Sequence, residues 1–392
     1  MSEASPSLGP LVCVVGARPN YMKMAPLLRA FARERDLPGA MLIHTGQHYD
    51  VSMNDRLFAD LGLPEPELNL GVGSGTHAVQ TAEVMRRFEP IVDDLQPCCV
   101  IVVGDVNSTL ACALVASKKQ TPIAHIEAGL RSFDRTMPEE INRVVTDQLA
   151  DLLYTTERDA AANLAREGID GSRVHFVGNV MIDTLLEQRP RAIAPLETLR
   201  RAGTGGSPVE RAGRFGVVTL HRPSNVDGRD ALTASLEILC DTAQRLPLVW
   251  PVHPRTRASI ERFGLTGLIA RAPIALLEPQ GYLEMLGLLA NATLVLTDSG
   301  GIQEESTVLG VPCLTLRANT ERPMTVTRGT NRVVGTDARR IVPELHEVLA
   351  AAMPARPSLP LWDGLAASRI VEILEDEVRS GRIGANVAPA VS

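Results

Sequence analysis

The chain has 392 residues, 45% of them hydrophobic, and a formal net charge of -7. That length allows two domains with filled cores, and the acidic balance argues against a nucleic-acid or acidic-membrane surface, so basic residues gathered at a site must serve a local anion. The six cysteines lie mostly in apolar runs without CxxC spacing, which fits buried thiols rather than a disulfide framework or zinc; no apolar run approaches the roughly 20 residues of a membrane span, and the start, MSEASPSLGP, lacks the pattern of a signal peptide. The cytoplasm is the expected compartment.

Leu11 to Val15 reads as a buried strand, and the following GARPNYMK stands where a Rossmann domain turns into its first helix. It lacks GxGxxG, so a dinucleotide is not expected; Arg18 and Lys23 in this turn suit a cationic clamp on an anion. Met41 to Thr45 is the next strand, followed by Gln47-His48 and by helical spacing from Val51 to Leu61. Gly71 to Gly75 reads as a flexible loop, and Ala78 to Leu95 as a long helix. Cys99 to Val103 is wholly apolar, as in a parallel sheet covered on both faces. Asp105 follows at its carboxyl end, with Asn107 and Ser108 available to cap the next helix.

Pro122 to Ile126 is another strand, ending in HIEAGLRSFDRTMPEEINR, the densest polar stretch of the chain. Pro138 starts a helix with Glu139 and Glu140 in its first turn, where the dipole favours them; Glu127, following an apolar strand, has no such explanation. Further strands are expected at Leu152 to Thr155 and Val174 to Val177, and a helix over Val180 to Gln188. The stretch Glu187 to Gly216 is rich in Pro, Arg, Ala and Gly and reads as a linker with an irregular excursion.

The pattern then restarts. Gly216 to Leu220 ends in HRPSNVD and Leu248 to Val252 in HPRT, so two strands deliver His221 and His253 to one edge. Leu294 to Leu316 reads strand, Asp298-Ser299-Gly300-Gly301 turn, helix, strand. A helix entered through Ser-Gly-Gly aims unpaired N–H groups and the positive end of its dipole at the sheet edge, which is a phosphate seat. Glu304 and Glu305 would repel a phosphate, so one of them is expected to face a sugar hydroxyl or ribose. Arg322 follows the next strand, and a final helix covers Gly364 to Ser380.

These elements predict an α/β protein of two doubly wound Rossmann-like domains facing across a cleft. The expected boundaries are 1–188, 189–362 for the nucleotide-binding domain, and 363–392 for a terminal helix that packs back on the first domain, with a tail. Metal is not expected: HExxH spacing is missing and no Asp pair suits a hard cation. Carboxylates with histidine suit proton transfer at a sugar, since neighbouring carboxylates can be driven to different pKa values.

The segments GARPNYMKMAPL, TGQHYD, GDVNSTLA, HIEAGLRSFDRTMPEEINR, VGNVMID, TLHRPSNVD, PVHPRT, LTDSGGIQEES and TERP with GTN occur in order from Val12 to about Gly335. Together they resemble the UDP-N-acetylglucosamine 2-epimerases, of GT-B-like fold. The resemblance implies elimination of UDP with loss of the C2 proton, a 2-acetamidoglucal intermediate, and re-addition with the proton on the other face. It implies catalytic roles for Asp105, Glu127, Glu139 and His221, and UDP or sugar binding by Arg18, Lys23, His253, Ser299, Gly300, Gly301, Glu305 and Arg322. It implies no cofactor, a UDP-sugar substrate and a homodimer. GDVNST replaces the GDT followed by Ser or Thr of many members, and Met324 stands where some have Glu. The loop GLRSFDRTMP resembles that of members acting on modified sugars, so UDP-N-acetylglucosamine and a UDP-diacetamido-uronic acid are both candidate substrates. The rival readings are a hydrolysing 2-epimerase releasing UDP and N-acetylmannosamine, a GT-B glycosyltransferase, and a non-catalytic nucleotide-sugar sensor.

Overall fold

The structure, a computed structural model, describes residues 8–46 and 57–383. The Gln47-His48 pair, and the first part of the helical spacing from Val51, lie outside the described residues. The chain divides into two compact units, Met1–Thr184 with Pro360–Ser392, and Leu185–Leu359.

The first unit is built on a parallel seven-stranded sheet in the order β3-β2-β1-β4-β5-β6-β7. Its strands are β1 (Leu11–Val15), β2 (Ala40–His44), β3 (Leu68–Asn69), β4 (Cys99–Val103), β5 (Ile123–Ala128), β6 (Leu152–Thr155) and β7 (Val174–Phe176). β1, β4 and β5 are buried along their whole length because helices cover both faces, which is why their sequences are continuous apolar runs rather than alternating ones. The order reverses between β1 and β4, and a doubly wound sheet opens a crevice at the carboxyl ends of its strands at such a switch point. The helices that frame this edge are α1 (Arg18–Phe31), α2 (His77–Leu95), α3 (Asn107–Lys118) and α4 (Pro138–Leu149).

The glycine-rich segment Gly71 to Gly75 was expected to be loose, yet it is tied down. Arg87 donates to the carbonyls of Leu70 and Gly71 at 2.7 and 2.8 Å, Gln80 donates to that of Gly73 at 3.0 Å, and the Gly73 N–H reaches Gly46 O at 2.7 Å. Glycine at 71 and 73 serves positive φ here, 57° and 79°.

The terminal helix (Ala366–Arg379) belongs to the first unit. The Asp183 carboxylate accepts the N–H groups of Ala366 and Ala367 at 3.2 and 2.7 Å, and Trp362 donates to Thr156 O at 2.9 Å. The helix shows its apolar face, Ile370, Val371 and Leu374, to the unit's interior.

The second unit repeats the plan with a six-stranded parallel sheet, β10-β9-β8-β11-β12-β13. The strands are β8 (Gly216–Thr219), β9 (Leu248–Pro251), β10 (Ile274–Leu277), β11 (Leu294–Thr297), β12 (Cys313–Thr315) and β13 (Asn331–Val333). Trp250, Leu236, Leu239, Leu296 and Leu314 are among the side chains of its core. The switch point falls between β8 and β11, the strands that end at His221 and at the Asp298-Ser299-Gly300-Gly301 turn.

Candidate active site

At the edge of the first unit the turn after β1 is organised by Asn20, which is 2% exposed. Its Oδ1 accepts the N–H groups of Gly16 and Ala17, both at 3.1 Å, and its Nδ2 donates to Val103 O at 2.9 Å. This side chain caps α1 from inside the helix, so α1 begins at Arg18 with Ala17 as a cap residue that has no capping side chain. Lys23 therefore does not sit in the turn, as its spacing suggested. It lies within α1, buried, and its Nζ makes an ion pair with Glu127 Oε2. Arg18 opens the helix, half-buried.

Glu127 stands at a register shift between Ile126 and Ala128 where β5 meets β6, and its φ is 74°. A non-glycine residue in the left-handed region costs roughly 1–3 kcal/mol, and such strain gathers at functional sites. Gly104, which precedes Asp105, has φ 68°, and a Cβ there would lie 2.9 Å from Lys23 Nζ and 3.5 Å from Glu127 Oε2. The backbone before Asp105 and the Glu127 carboxylate thus share one spot.

Asp105 was expected to be spare because Asn107 and Ser108 could cap α3. Neither caps it: the cap position is Val106, with no side-chain hydrogen bond. Asn107 donates to Gln80 Oε1 at 2.7 Å, and Ser108 Oγ lies 2.6 Å from Thr45 Oγ1. Asp105 is not the cap residue, and Arg143 Nη2 pairs with its Oδ2. Arg143 Nη1 reaches Glu140 Oε2 at 2.5 Å, and Glu140 also accepts the N–H groups of Ser132 and Phe133 at 3.0 and 2.8 Å. Of the two glutamates opening α4, Glu140 holds the preceding loop and Glu139 is half-buried at the edge. Arg143 was missed in the sequence; its placement one turn after Glu139 and Glu140 was the available signal.

In the second unit the organising group is Asp298, fully buried and read from the sequence only as a turn residue. It accepts the N–H groups of His221 and Arg222 at 3.0 and 2.8 Å and the Asn225 amide at 3.0 Å, and its Oδ1 lies 3.0 Å from His221 Nδ1. Burial alone would raise its pKa, but the contact with His221 and these backbone donors outweigh burial and hold it below the usual Asp value. A carboxylate at Nδ1 keeps the ring hydrogen there and leaves Nε2 as an acceptor, the arrangement of a general base. His253 caps its own helix (Pro254–Arg262): its Nδ1 accepts the Arg255 N–H at 3.2 Å, which puts its hydrogen on Nε2. The two rings are 5.5 Å apart, so one edge carries an acceptor and a donor imidazole side by side.

The helix after β11 starts at Gly300 and runs to Leu309, with Ser299 at the cap position making no side-chain cap bond. Its opening N–H groups, on Gly300 and Gly301 among others, have no acceptor within the helix. A Cβ on Gly300 would lie 2.5 Å from Glu321 Oε1. The helix starts earlier than its apolar spacing indicated, and Glu304 and Glu305 fall in its second turn. Glu304 is 3.0 Å from Arg322 Nε, and Glu321 is 2.8 Å from Arg317. The cations of this edge are thus interlaced with buried carboxylates, Arg317 with one four residues along the chain and Arg322 with one on the preceding helix.

Glu305 is buried and accepts from the Tyr282 hydroxyl at 3.0 Å. Burial, opposed by Tyr282 and reinforced by the charge of Glu304, raises its pKa to about 7. A carboxyl whose folded pKa exceeds its unfolded one binds its proton more tightly when folded, so its stabilisation is complete at low pH and is lost as pH rises through 7. Denaturant unfolding between pH 5 and 8 is expected to show this loss, and Glu305→Gln to remove that part of the pH dependence.

A family model described as UDP-N-acetylglucosamine 2-epimerase matches residues 32–375. The chain belongs to the UDP-N-acetylglucosamine 2-epimerase family. A UDP-N-acetylglucosamine 2-epimerase of Methanocaldococcus jannaschii is 40% identical over 93% of this chain and 98% of its own length. A UDP-2,3-diacetamido-2,3-dideoxy-D-glucuronate 2-epimerase of Pseudomonas aeruginosa is equally 40% identical, over 93% and 99%. The crystal structure of the M. jannaschii UDP-GlcNAc 2-epimerase with UDP-GlcNAc and UDP has a TM-score of 0.82 at 38% identity, covering 93% of this chain and 99% of that one. The chain is therefore an epimerase of two Rossmann-like, GT-B-like units, and the two carboxyl edges described above belong to an epimerase of this family.

Proposed function

We propose that this epimerase inverts C2 of a UDP-2-acetamido sugar by eliminating UDP and adding it back, without releasing the sugar. The observation that carries the reading is the pair of carboxylates at adjacent strand ends in unlike settings, Glu127 against the Lys23 ammonium and Asp105 against the Arg143 guanidinium. Inversion needs a group that takes a proton from one face of C2 and another that returns one to the opposite face, and two carboxylates in different environments supply both.

A C2 proton with no adjacent carbonyl is barely acidic, so departure of UDP has to lead. Donors aimed at the developing diphosphate charge would stabilise that departure: the opening N–H groups of the Gly300–Leu309 helix, the Ser299 hydroxyl, Arg18, the His253 Nε2–H and Arg322. His221, with its hydrogen kept on Nδ1 by Asp298, presents an accepting Nε2 suited to proton transfer, and Glu139 completes the acid–base set. Glu305 is suited to ribose hydroxyls. The solved relative with UDP-GlcNAc and UDP supports a UDP-sugar substrate. The P. aeruginosa relative supports extending the class to 2,3-diacetamido uronic acids.

Phosphorus and proton NMR of the products tests the outcome. Incubation with UDP-N-acetylglucosamine, and separately with the diacetamido uronic acid nucleotide, is expected to give a C2-inverted UDP-sugar in at least one case with no accumulation of free UDP. Stoichiometric release of UDP and N-acetylmannosamine would establish the hydrolysing reaction instead.

A further inference from the structure

We propose that His125 is a positioning residue whose doubly protonated ring fixes the two backbone turns that present Asp105 and Glu127. The proposal rests on the acid–base reading of those carboxylates. His125 lies on β5 two residues before Glu127 and is fully buried. Its Nε2 is 2.8 Å from Gly104 O, and its Nδ1 is 2.6 Å from Asp147 Oδ1. A peptide carbonyl only accepts, so Nε2 carries a hydrogen.

The same counting applies at the other nitrogen. The second oxygen of Asp147 accepts the Gly129 N–H at 3.0 Å and lies 2.7 Å from Arg131 Nη2. Burial opposes ionisation of this carboxyl, but His125 and Arg131 outweigh burial and hold its pKa below the usual Asp value. An ionised carboxylate only accepts, so Nδ1 carries a hydrogen too. The charges close locally: Arg131 also pairs with Glu167 at 2.6 Å, giving two cations and two anions in one cluster. A buried ion group persists only when matched in this way.

The placement gives the cluster its task. Gly104 is gripped from both sides by β5, its N–H by Ile126 O at 3.0 Å and its carbonyl by His125, and the next residue is Asp105. On the far side Asp147 holds the N–H of Gly129, whose carbonyl accepts from Asn163 at 2.9 Å, two residues past the strained Glu127. One buried His–Asp pair therefore spans the turn before one carboxylate and the turn after the other. A histidine that merely filled the core would need one donor and one acceptor around it, and the ring here faces two acceptors.

Two readouts test it. Long-range proton–nitrogen NMR of the nitrogen-15-labelled enzyme, with the His125 signals assigned by their loss in His125→Gln, is expected to show hydrogen on both ring nitrogens at neutral pH; a neutral-imidazole pattern would overturn the assignment. In kinetics, His125→Leu is expected to lower kcat about 10²-fold, the scale of a misplaced catalytic group, with KM and calorimetric UDP affinity kept. His125→Gln retains a donor toward Gly104 and is expected to lose less. Unchanged kcat in both variants, or losses in KM and UDP affinity that match the loss in kcat, would contradict the positioning role. A wild-type enzyme inactive on every UDP-2-acetamido sugar would instead overturn the proposed function and leave the NMR result standing.

Discussion

Asp105→Asn and Glu127→Gln are each expected to lower turnover by roughly 10²- to 10⁴-fold, the range for loss of a positioned acid or base, while UDP affinity stays close to that of the native enzyme. Both substitutions keep the shape of the carboxyl and remove its charge. All of the diphosphate donors proposed above except Arg18 lie in the other unit, on the Ser299-Gly300-Gly301 turn, at His253 and at Arg322, so most of the hold on the nucleotide should not sense the change. Arg322→Ala is expected to act in the opposite sense, weakening UDP first. Its effect on kcat is not expected to be nil, because the proposed function sets the same cation against the charge that develops on the leaving diphosphate. Calorimetric titration with UDP beside initial rates separates the two classes. An Asp105→Asn or Glu127→Gln protein that binds UDP tenfold more weakly and turns over normally would reverse the assigned roles.

Lys23→Met is expected to destabilise the protein by about 3–5 kcal/mol, the usual consequence of removing one partner of a buried ion pair. Lys23 and Glu127 are 6% exposed each, and the pair lies against the Gly104 backbone. Loss of the ammonium leaves the Glu127 carboxylate in a site with little water. Its proton affinity must then rise, and the limb of the pH–rate profile that the proposed function assigns to Glu127 is expected to move upward. Glu127→Gln alone strands the ammonium in the same way. The double variant Lys23→Met with Glu127→Gln removes both charges and is expected to recover most of the stability and none of the activity. A double-mutant cycle on urea unfolding measures the coupling. Additive losses would mean that the pair is not a unit, and recovered turnover would remove Glu127 from the chemistry.

The strands were legible where burial on both faces made them unambiguous. Leu11–Val15, Cys99–Val103 and Leu152–Thr155 fall where their apolar runs predict. β10 was missed because a four-residue edge strand with Leu276 exposed carries neither a long run nor a clean alternation. The short helices Pro195–Arg201 and Pro208–Ala212 hid in a stretch whose composition reads as a linker, since the prolines that suggest a break stand at helix starts. The displacement of Lys23 from turn to helix has a comparable cause. The cap of α1 comes from Asn20 inside the helix, and no residue before Arg18 announces the start.

At the site, each polar residue at a strand end was visible, because an apolar run that stops at a charged or imidazole side chain marks the carboxyl edge. Their partners were not. Arg143 with Asp105, Asp298 with His221 and Glu304 with Arg322 are brought together by sheet order and helix docking. No sequence period encodes such long-range pairs, and they decide which side chains are held and which are presented.

The measurement that bears most directly on the central claim is proton NMR of the nucleotide sugar during turnover in deuterated water, without added nicotinamide cofactor or metal. Elimination followed by re-addition passes the C2 hydrogen to a carboxylate or imidazole that exchanges with solvent. Deuterium is therefore expected at C2 of the inverted product and, as equilibrium is approached, of recovered substrate. Inversion with protium fully retained at C2 would contradict the account.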